Sequence, residues 1–156
     1  MRILVLSYAF SPFKGSEFSV AWNYAFHMSK NHQLDIIIGL TDNHMGEFES
    51  LDKIQEKILK TFKDKIDVIV SDMAENTTGN KTIDSIRTNG LCVDVINFSL
   101  KALTKKGSLV CKLFMGEDFL EVKNLAKKNF KNVYFFKPES SRSESKETYI
   151  ICSSLK

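Results

Sequence analysis

Residues 66–79 read IDVIVSDMAENTTG, a stretch that changes character near its midpoint. The first six residues are mostly apolar and β-branched, which predicts a buried strand over 66–71. An acid, Asp72, follows at once, and small polar residues lead on to Gly79. In open α/β sheets, ligands bind outside the carboxyl ends of the strands. The stretch therefore predicts a central strand of such a sheet with a polar site at its end.

Similar patterns continue on both sides of this stretch. Apolar runs predict further strands, and segments with apolar residues on one helical face predict helices between them. Strands are predicted over 2–8, 34–40, 107–114, 132–137 and 147–153, and helices over 17–30, 49–63, 82–103 and 117–130. Apolar strands that alternate with amphipathic helices are typical of a parallel sheet covered on both faces.

The last two predicted strands have no helix between them. The loop over 138–146 is too short for the crossover that parallel strands need, so the final strand should run antiparallel. We therefore predict a Rossmann-like α/β fold, with a mostly parallel sheet, helices on both faces and an antiparallel C-terminal strand. A chain of 156 residues is expected to form a single α/β domain over residues 1–156.

The long helix predicted over 82–103 carries an apolar series and one glycine. Gly90 costs about 1 kcal/mol relative to alanine in a helix interior, so a kink or break can occur there. The side chains predicted to face the core are Ile83, Ile86, Leu91, Val95, Phe98 and Leu103.

Composition is that of an ordinary soluble globular protein, with 43% hydrophobic and 26% charged residues. No apolar run approaches the roughly 18 residues that a membrane span requires. The three cysteines, Cys92, Cys111 and Cys152, form no CxxC pair, which argues against a disulfide framework or a zinc site. We expect a cytoplasmic monomer with no metal and no membrane partner.

The net charge of +3 is unevenly distributed. Residues 1–52 carry three Lys or Arg and six Asp or Glu, a net charge of −3. Residues 53–156 carry 19 Lys or Arg and 13 Asp or Glu, a net charge of +6. The second stretch is the candidate for contact with a polyanion such as RNA. We expect Lys137 and Arg142, beside the polar loop, to contribute RNA contacts. The alternative is a lysine-rich solvated surface.

Three charged residues lie at or beside strand positions where core residues are expected. Asp72 follows one strand, Lys112 lies inside LVCKLF, and Glu147 opens ETYIICS. Because lysine is seldom buried without a partner, the three side chains could form one acid–lysine–acid cluster at a rim of the sheet. Such a lysine can orient a hydroxyl group or accept its proton. The alternatives are a helix cap for Asp72 and a surface position for Glu147.

Four motifs resemble a known family in their order and spacing. They are SDMAENTTG (71–79), GSLVCKLFMGEDF (107–119), FKPESSRSES (136–145) and KETYII (146–151). They resemble the FtsJ-like ribosomal RNA 2′-O-ribose methyltransferases over about residues 53–156, as the C-terminal part of such a domain. Glu75 departs from the proline that is usual there. The family's N-terminal catalytic lysine and its Pro-Gly-Gly-Trp donor turn have no counterpart in this sequence.

The resemblance implies S-adenosylmethionine as methyl donor and RNA, ribosomal RNA or the large ribosomal subunit, as partner. Lys112 would be the catalytic lysine that accepts or steers the proton of the 2′-hydroxyl group. Asp72 would lie near both the donor and the ribose, and Glu147 would hold the lysine. The residues implied in donor binding are Asp72, Met73 and Ala74.

The N-terminal segment resembles a different family. The sequence MRILVLSYAFSPFKGSEFSVAWNYAFHMSK (1–30) is similar to the start of GT-B-fold glycosyltransferases, which predicts a glycosyltransferase-like βαβ segment over 1–52. Three functions stay open: an RNA 2′-O-methyltransferase, active or truncated and inactive; an N-terminal fragment of a glycosyltransferase; and an inactive RNA-binding remnant. The first is favoured.

Overall fold

A computed structural model describes residues 1–7, 16–38, 51–62, 64–74, 78–116, 118–139, 141 and 145–156. These ranges contain six strands and four helices. In chain order they are β1 (Arg2–Ser7), α1 (Ser16–Ser29), β2 (Gln33–Ile38), α2 (Leu51–Thr61), β3 (Ile66–Ser71), α3 (Lys81–Ala102), β4 (Leu103–Phe114), α4 (Phe119–Asn129), β5 (Phe130–Phe136) and β6 (Glu147–Leu155).

The six strands form one sheet in the order β2-β1-β3-β4-β6-β5. Strand β1 pairs in parallel with β2 and β3, and β3 pairs in parallel with β4. Strand β6 runs antiparallel to both of its neighbours, β4 and β5. The predicted fold class is therefore confirmed: the sheet is mostly parallel, β3 lies inside it, and the C-terminal strand is antiparallel.

Helices lie on both faces of the sheet. On one face, strand residues such as Leu4 and Leu109 pack with Ile96 of α3 and Val122 of α4 in the main hydrophobic core. On the other face, α1 contributes Tyr24 and Met28 to the lining of a cleft over the sheet. None of the described helices is long and apolar enough to cross a membrane.

Helix α3 excludes a break that the sequence left open and corrects one prediction. It is continuous from Lys81 to Ala102, so it does not break at Gly90. Ile83 and Ile86 are exposed at 46% and 53%, contrary to the prediction that they face the core. The first half of the helix turns polar side chains inward instead: Asp84 accepts from Thr78 just before the helix, and Asn89 bonds to Phe114 at the end of β4. In the second half, Val95 and Phe98 are buried as predicted.

The three cysteines belong to the main core. Cys92, Cys111 and Cys152 are buried free thiols. Burial is the main cause that raises the pKa of Cys152 to about 12, so this thiol stays protonated at neutral pH. These residues therefore act as small apolar core side chains.

Candidate active site at the carboxyl edge of the sheet

Lys112 is the centre of a charged cluster at the carboxyl edge of the parallel strands. Its side chain is only 11% exposed, and its Nζ atom lies 2.8 Å from Oδ1 of Asp72. The same Nζ atom lies 4.0 Å from Oε1 of Glu147. The carboxylates of Asp72 and Glu147 remain 39% and 47% exposed, so solvent or a ligand can reach them. The fold thus brings together the three charged residues that the sequence places at strand positions.

Strand register explains how residues so far apart in sequence meet. The backbone N–H of Asp72 donates to the carbonyl oxygen of Leu6 at 3.1 Å, which extends the pairing of β3 with β1 by one residue. On the other side of β3, Ser71 lies opposite Cys111, so Asp72 follows on beside Lys112. Side chains alternate between the two faces of a strand, and Lys112 therefore points away from the core that holds Cys111.

Strand β6 supplies the third side of the cluster. Lys112 lies opposite Tyr149, and Glu147 lies opposite Phe114. Because Glu147 and Tyr149 are two residues apart on one strand, both point to the face that carries Lys112. The antiparallel direction of β6 is what brings its first residues, and not its last, to this edge.

Tyr149 is a member of the cluster that was not predicted from the sequence. Its Oη atom donates a hydrogen bond to Oδ1 of Asp72 at 2.9 Å. Burial raises the pKa of the Tyr149 phenol, and the neighbouring Asp72 carboxylate raises it further, so the hydroxyl stays protonated and can donate. The signal that could have found it is the two-residue spacing from Glu147 within KETYII.

A cleft of about 550 Å³ lies beside the cluster, on the same face of the sheet. Val5, Val70, Val110 and Ile151, which lie opposite one another across four adjacent strands, are among its lining residues and form its apolar floor. Asp72, Glu147 and Tyr149 add polar groups to the lining. An apolar concave surface of this size with a few converging polar groups is typical of a small-molecule site.

Helix α3 fixes the end of β4 next to the cluster. The side-chain amide of Asn89 donates to the carbonyl oxygen of Phe114 at 2.9 Å, and its oxygen accepts from the Phe114 N–H at 2.8 Å. Asn89 is 1% exposed, so these two bonds lie in the protein interior. Beyond this point, Met115 N–H donates to the carbonyl oxygen of Lys146 at 2.9 Å. The strand that carries Lys112 is therefore held at its carboxyl end.

The segment after Asp72 leads into the start of α3. Met73 packs against the main core, and Gly79 has a positive φ of 85°. Asn80 caps α3 by accepting from two backbone N–H groups. Asp84 accepts from both the N–H and the hydroxyl of Thr78, and the backbone bond is the main cause that lowers the pKa of Asp84. Residues 75–77, which include Glu75, lie outside the described residues.

The two predicted RNA-binding residues are only partly covered by the structure. Lys137 is exposed, and its Nζ atom donates to the carbonyl oxygen of Ser145 at 2.9 Å. Arg142 lies outside the described residues, as do residues 8–15, which carry much of the glycosyltransferase-like motif. An RNA role for Lys137 and Arg142 and the glycosyltransferase resemblance of 1–52 both stay predictions.

Solved structures of methyltransferases share this fold. A ribosomal RNA methyltransferase from Plasmodium falciparum aligns with 98% of this chain and 86% of its own, with a TM-score of 0.62 and 23% identity. Human methyltransferase-like protein 13, in complex with SAH, aligns with 98% of this chain and 71% of its own, with a TM-score of 0.63 and 13% identity. At these identities the similarity shows the fold, which is that of the Rossmann-like methyltransferases.

The family follows from the sequence comparison. The model of the FtsJ-like methyltransferases matches residues 24–155, and the chain belongs to this family. The ribosomal RNA large subunit methyltransferase E of Pelagibacter ubique is 53% identical over 111 residues, which are 71% of this chain and 54% of that protein. The protein of the same name from Rickettsia akari is 41% identical over 119 residues, which are 76% of this chain and 52% of that protein. The chain thus spans about half the length of these relatives.

Proposed function

We propose that this chain is an S-adenosylmethionine-dependent methyltransferase that acts on the 2′-hydroxyl group of a ribose in RNA. The observation that carries the proposal is the position of Lys112, nearly buried between Asp72 and Glu147 at the edge where α/β sheets bind ligands. Membership of the FtsJ-like family supports the same activity.

Lys112 would act directly on the 2′-hydroxyl group, which is a poor nucleophile at neutral pH. An ammonium group has three N–H donors, and of the two carboxylates only Asp72 lies at hydrogen-bond distance from Nζ. The remaining donors can orient the ribose oxygen, and the amine form can accept its proton. Asp72 and Glu147 would hold Nζ in position. General acid–base assistance of this kind is typically worth about 10²–10⁴-fold in rate.

The residues at this edge fit S-adenosylmethionine by their chemistry. The donor is a sulfonium cation, and the cluster of Asp72, Lys112 and Glu147 carries a net charge of −1 that suits a cation. Asp72, Met73 and Ala74 would hold the donor, which supplies an electrophilic methyl group when it is bound. The apolar floor of the adjoining cleft offers contact area for a planar base or a sugar.

Ribosomal RNA is the proposed substrate. The two relatives described above are named as methyltransferases of the ribosomal RNA large subunit, and residues 53–156 carry the positive charge that RNA binding needs. Lys137 and Arg142 would contribute phosphate contacts beside the cluster. Replacement of both by alanine should weaken RNA binding at low salt and have little effect in high salt, where phosphate contacts are already lost. This substrate favours a cytoplasmic location for the chain, which we propose to be monomeric.

We further propose that residues 1–156 fold as one α/β domain, made of a glycosyltransferase-like segment over 1–52 and a methyltransferase segment over 53–156. The pairing of β1 with β3 supports this organisation, because it joins the N-terminal segment to the sheet that carries the cluster.

A ligand titration and a transfer assay together test the function. Isothermal calorimetry should show binding of S-adenosylmethionine and of S-adenosylhomocysteine, with no heat from a UDP-sugar under the same conditions. Tritiated S-adenosylmethionine should label large-subunit ribosomal RNA that lacks 2′-O-methyl groups, and RNA with 2′-deoxyribose at the target should stay unlabelled. Binding of the UDP-sugar in place of S-adenosylmethionine would support the glycosyltransferase alternative instead.

A further inference from the structure

The edge of the sheet opposite the active-site cluster carries a concentration of exposed lysines. Strands β3, β4 and β5 begin at this edge, β6 ends there, and helices α3 and α4 also end there. Seven exposed lysines lie at the termini of β4, β5, β6 and the two helices, and we call them the amino-edge lysines: Lys101, Lys105, Lys106, Lys127, Lys128, Lys131 and Lys156.

Contacts within the set confirm that the termini meet. Lys156 donates its backbone N–H to the carbonyl oxygen of Asn129 at 3.0 Å, and its Nζ atom donates to the carbonyl oxygen of Lys127 at 2.5 Å. Leu103, at the start of β4, lies opposite Ile66. The register then shifts, so that residues 104–107 of β4 correspond to the single residue Asp67 of β3. This irregularity contains Lys105 and Lys106, both exposed.

The positive charge of this edge is not balanced locally. The stretches 95–116, 122–138 and 148–156 contain no Asp or Glu. Within the described part of the chain, the ion pairs within 4.0 Å that the structure contains involve none of the seven amino-edge lysines. Two acids lie nearby on the β3 side: Asp64 is exposed, and Asp67 accepts a hydrogen bond from the backbone of Arg2. The surface formed by β4, β5, β6 and the two helix ends is therefore strongly basic.

Helix dipoles account for only part of this arrangement. A cation near a helix C-terminus stabilises it by about 0.3–1 kcal/mol. Lys156 stabilises the end of α4 in this way, because its Nζ atom donates to the carbonyl oxygen of Lys127. Lys105, Lys106 and Lys131 lie on strands, and repulsion among them is not offset by a helix end. A surface that gathers several uncompensated cations is suited to a polyanion.

We propose that the amino-edge lysines bind the phosphate backbone of the RNA substrate, at a distance from the ribose that is modified. This inference rests on the proposed function. Lys106 and Lys112 are six residues apart on β4, which is about 20 Å at the rise of a strand. A single nucleotide cannot reach both, whereas a folded RNA segment can. The enzyme would thus contact its RNA at two edges of one sheet, with the chemistry at one of them.

A charge-removal variant with a matched control tests the proposal. The variant is Lys105→Ala with Lys106→Ala and Lys131→Ala. The control is Lys30→Ala with Lys57→Ala and Lys60→Ala, three exposed lysines on or beside α1 and α2 that are not members of the set. Binding of a labelled RNA stem-loop longer than roughly 16 base pairs is measured by fluorescence anisotropy across a salt series without S-adenosylmethionine. Thermal melts establish that both variants fold.

The expected result is at least a tenfold increase in Kd for the amino-edge variant, and no change for the control. The slope of log K against log salt should become shallower by about 2–3, because each phosphate contact contributes about 0.7–0.9. Equal RNA affinity of variant and wild-type chain would overturn the proposal, as would absence of RNA binding by the wild-type chain at low salt. So would binding of phosphatidylserine vesicles, but not RNA, through these lysines.

The proposal and the proposed function fail in distinguishable ways. If the wild-type chain binds RNA through the amino edge but transfers no methyl group, the RNA-binding proposal is supported and the proposed methyltransferase function is wrong. If methyl transfer is observed and the amino-edge variant keeps wild-type affinity for RNA, the proposed function is supported and the RNA-binding proposal for this edge is wrong.

Discussion

Tyr149 and Asp72, which are 77 residues apart in sequence, are joined by a hydrogen bond of 2.9 Å from the phenol hydroxyl to Oδ1. The same oxygen atom of Asp72 is the one that contacts Lys112. One carboxylate oxygen therefore links the strand that carries the lysine to the strand that carries Glu147. This shared contact makes Tyr149 a positioning residue in the proposed mechanism.

Replacement of Tyr149 by phenylalanine should loosen the cluster without removing its charges. We expect a loss of about 1 kcal/mol in the free energy of unfolding, which is below the roughly 1.5–3 kcal/mol of a bond to a charged group because Asp72 is 39% exposed. Methyl transfer should fall mainly in kcat, since the variant leaves Nζ of Lys112 less well oriented. Chemical denaturation and a transfer assay measure the two effects. Unchanged stability and unchanged kcat in this variant would show that Tyr149 is not a positioning residue of the cluster.

The pH dependence of this pair has a definite sign. The pKa of Tyr149 is raised above its ordinary value of 10.0 in the folded chain, so the folded state holds the phenol proton more tightly than the unfolded state. The contribution of this proton to stability is complete below about pH 10 and is lost as the pH rises through the folded value. The difference in unfolding free energy between the wild-type chain and Tyr149→Phe should be constant from about pH 6 to 9 and should shrink above pH 10.

Lys112→Met tests the proposed catalytic role. Methionine keeps much of the length of the side chain but has no ammonium group, so methyl transfer should fall by about 10²-fold or more. The control is Lys60→Met, at an exposed position on α2, which should keep full activity. Rates are compared per folded molecule, with the folded fraction taken from circular dichroism. If the lysine is only structural, the melting temperature will change while the rate per folded molecule does not.

Two glycines offer a matched test of backbone conformation. Gly79 has a φ of +85°, a region that costs other residues about 1–2 kcal/mol, so Gly79→Ala should lower the free energy of unfolding by that amount. Gly90 lies inside α3, and apart from the adjoining backbone of the helix itself no atom lies within 4 Å of the position that an added Cβ would take. Gly90→Ala should therefore raise the same quantity by about 1 kcal/mol. Urea denaturation measures the free energy of unfolding of both variants, and the two changes should have opposite signs. Two changes of the same sign would contradict this description of α3 and its start.

Asn89 provides a test of how the end of β4 is held. Asn89→Ala leaves the N–H and the carbonyl of Phe114 without their buried partners, which should cost about 3 kcal/mol. Asn97 lies on the same helix but is exposed, and Asn97→Ala should change stability by less than about 0.5 kcal/mol. Thermal melts compare the two variants. Similar melting temperatures for both would show that the Asn89 bonds contribute little.

Much of the fold and of the charged cluster could be predicted from the sequence because the signals are local. Apolar runs and helical faces are read within a few residues, and the short loop 138–146 determines the direction of β6. Asp72, Lys112 and Glu147 stand out because each is a charged residue at a strand position, where the two-residue period of the strand decides which face it occupies. The carboxyl ends of parallel strands share one edge, so convergence followed from the topology.

The sequence by itself determined the order and type of the elements, the mixed sheet and the charged residues at its edge, since these depend on periodicity and on connection length. Only the tertiary structure decided the rotation of α3 and the partner of Asp72. Ile83 and Ile86 have the apolar character of core residues, yet they are exposed, because the same helix turns Asn89 inward to bond Phe114 at the end of β4, 25 residues further along the chain. Tyr149 is an ordinary strand residue in the sequence, and its hydroxyl meets Asp72 only once β6 lies beside β4. A hydrogen bond depends on the positions of both partners, and a pattern along one segment carries the position of only one.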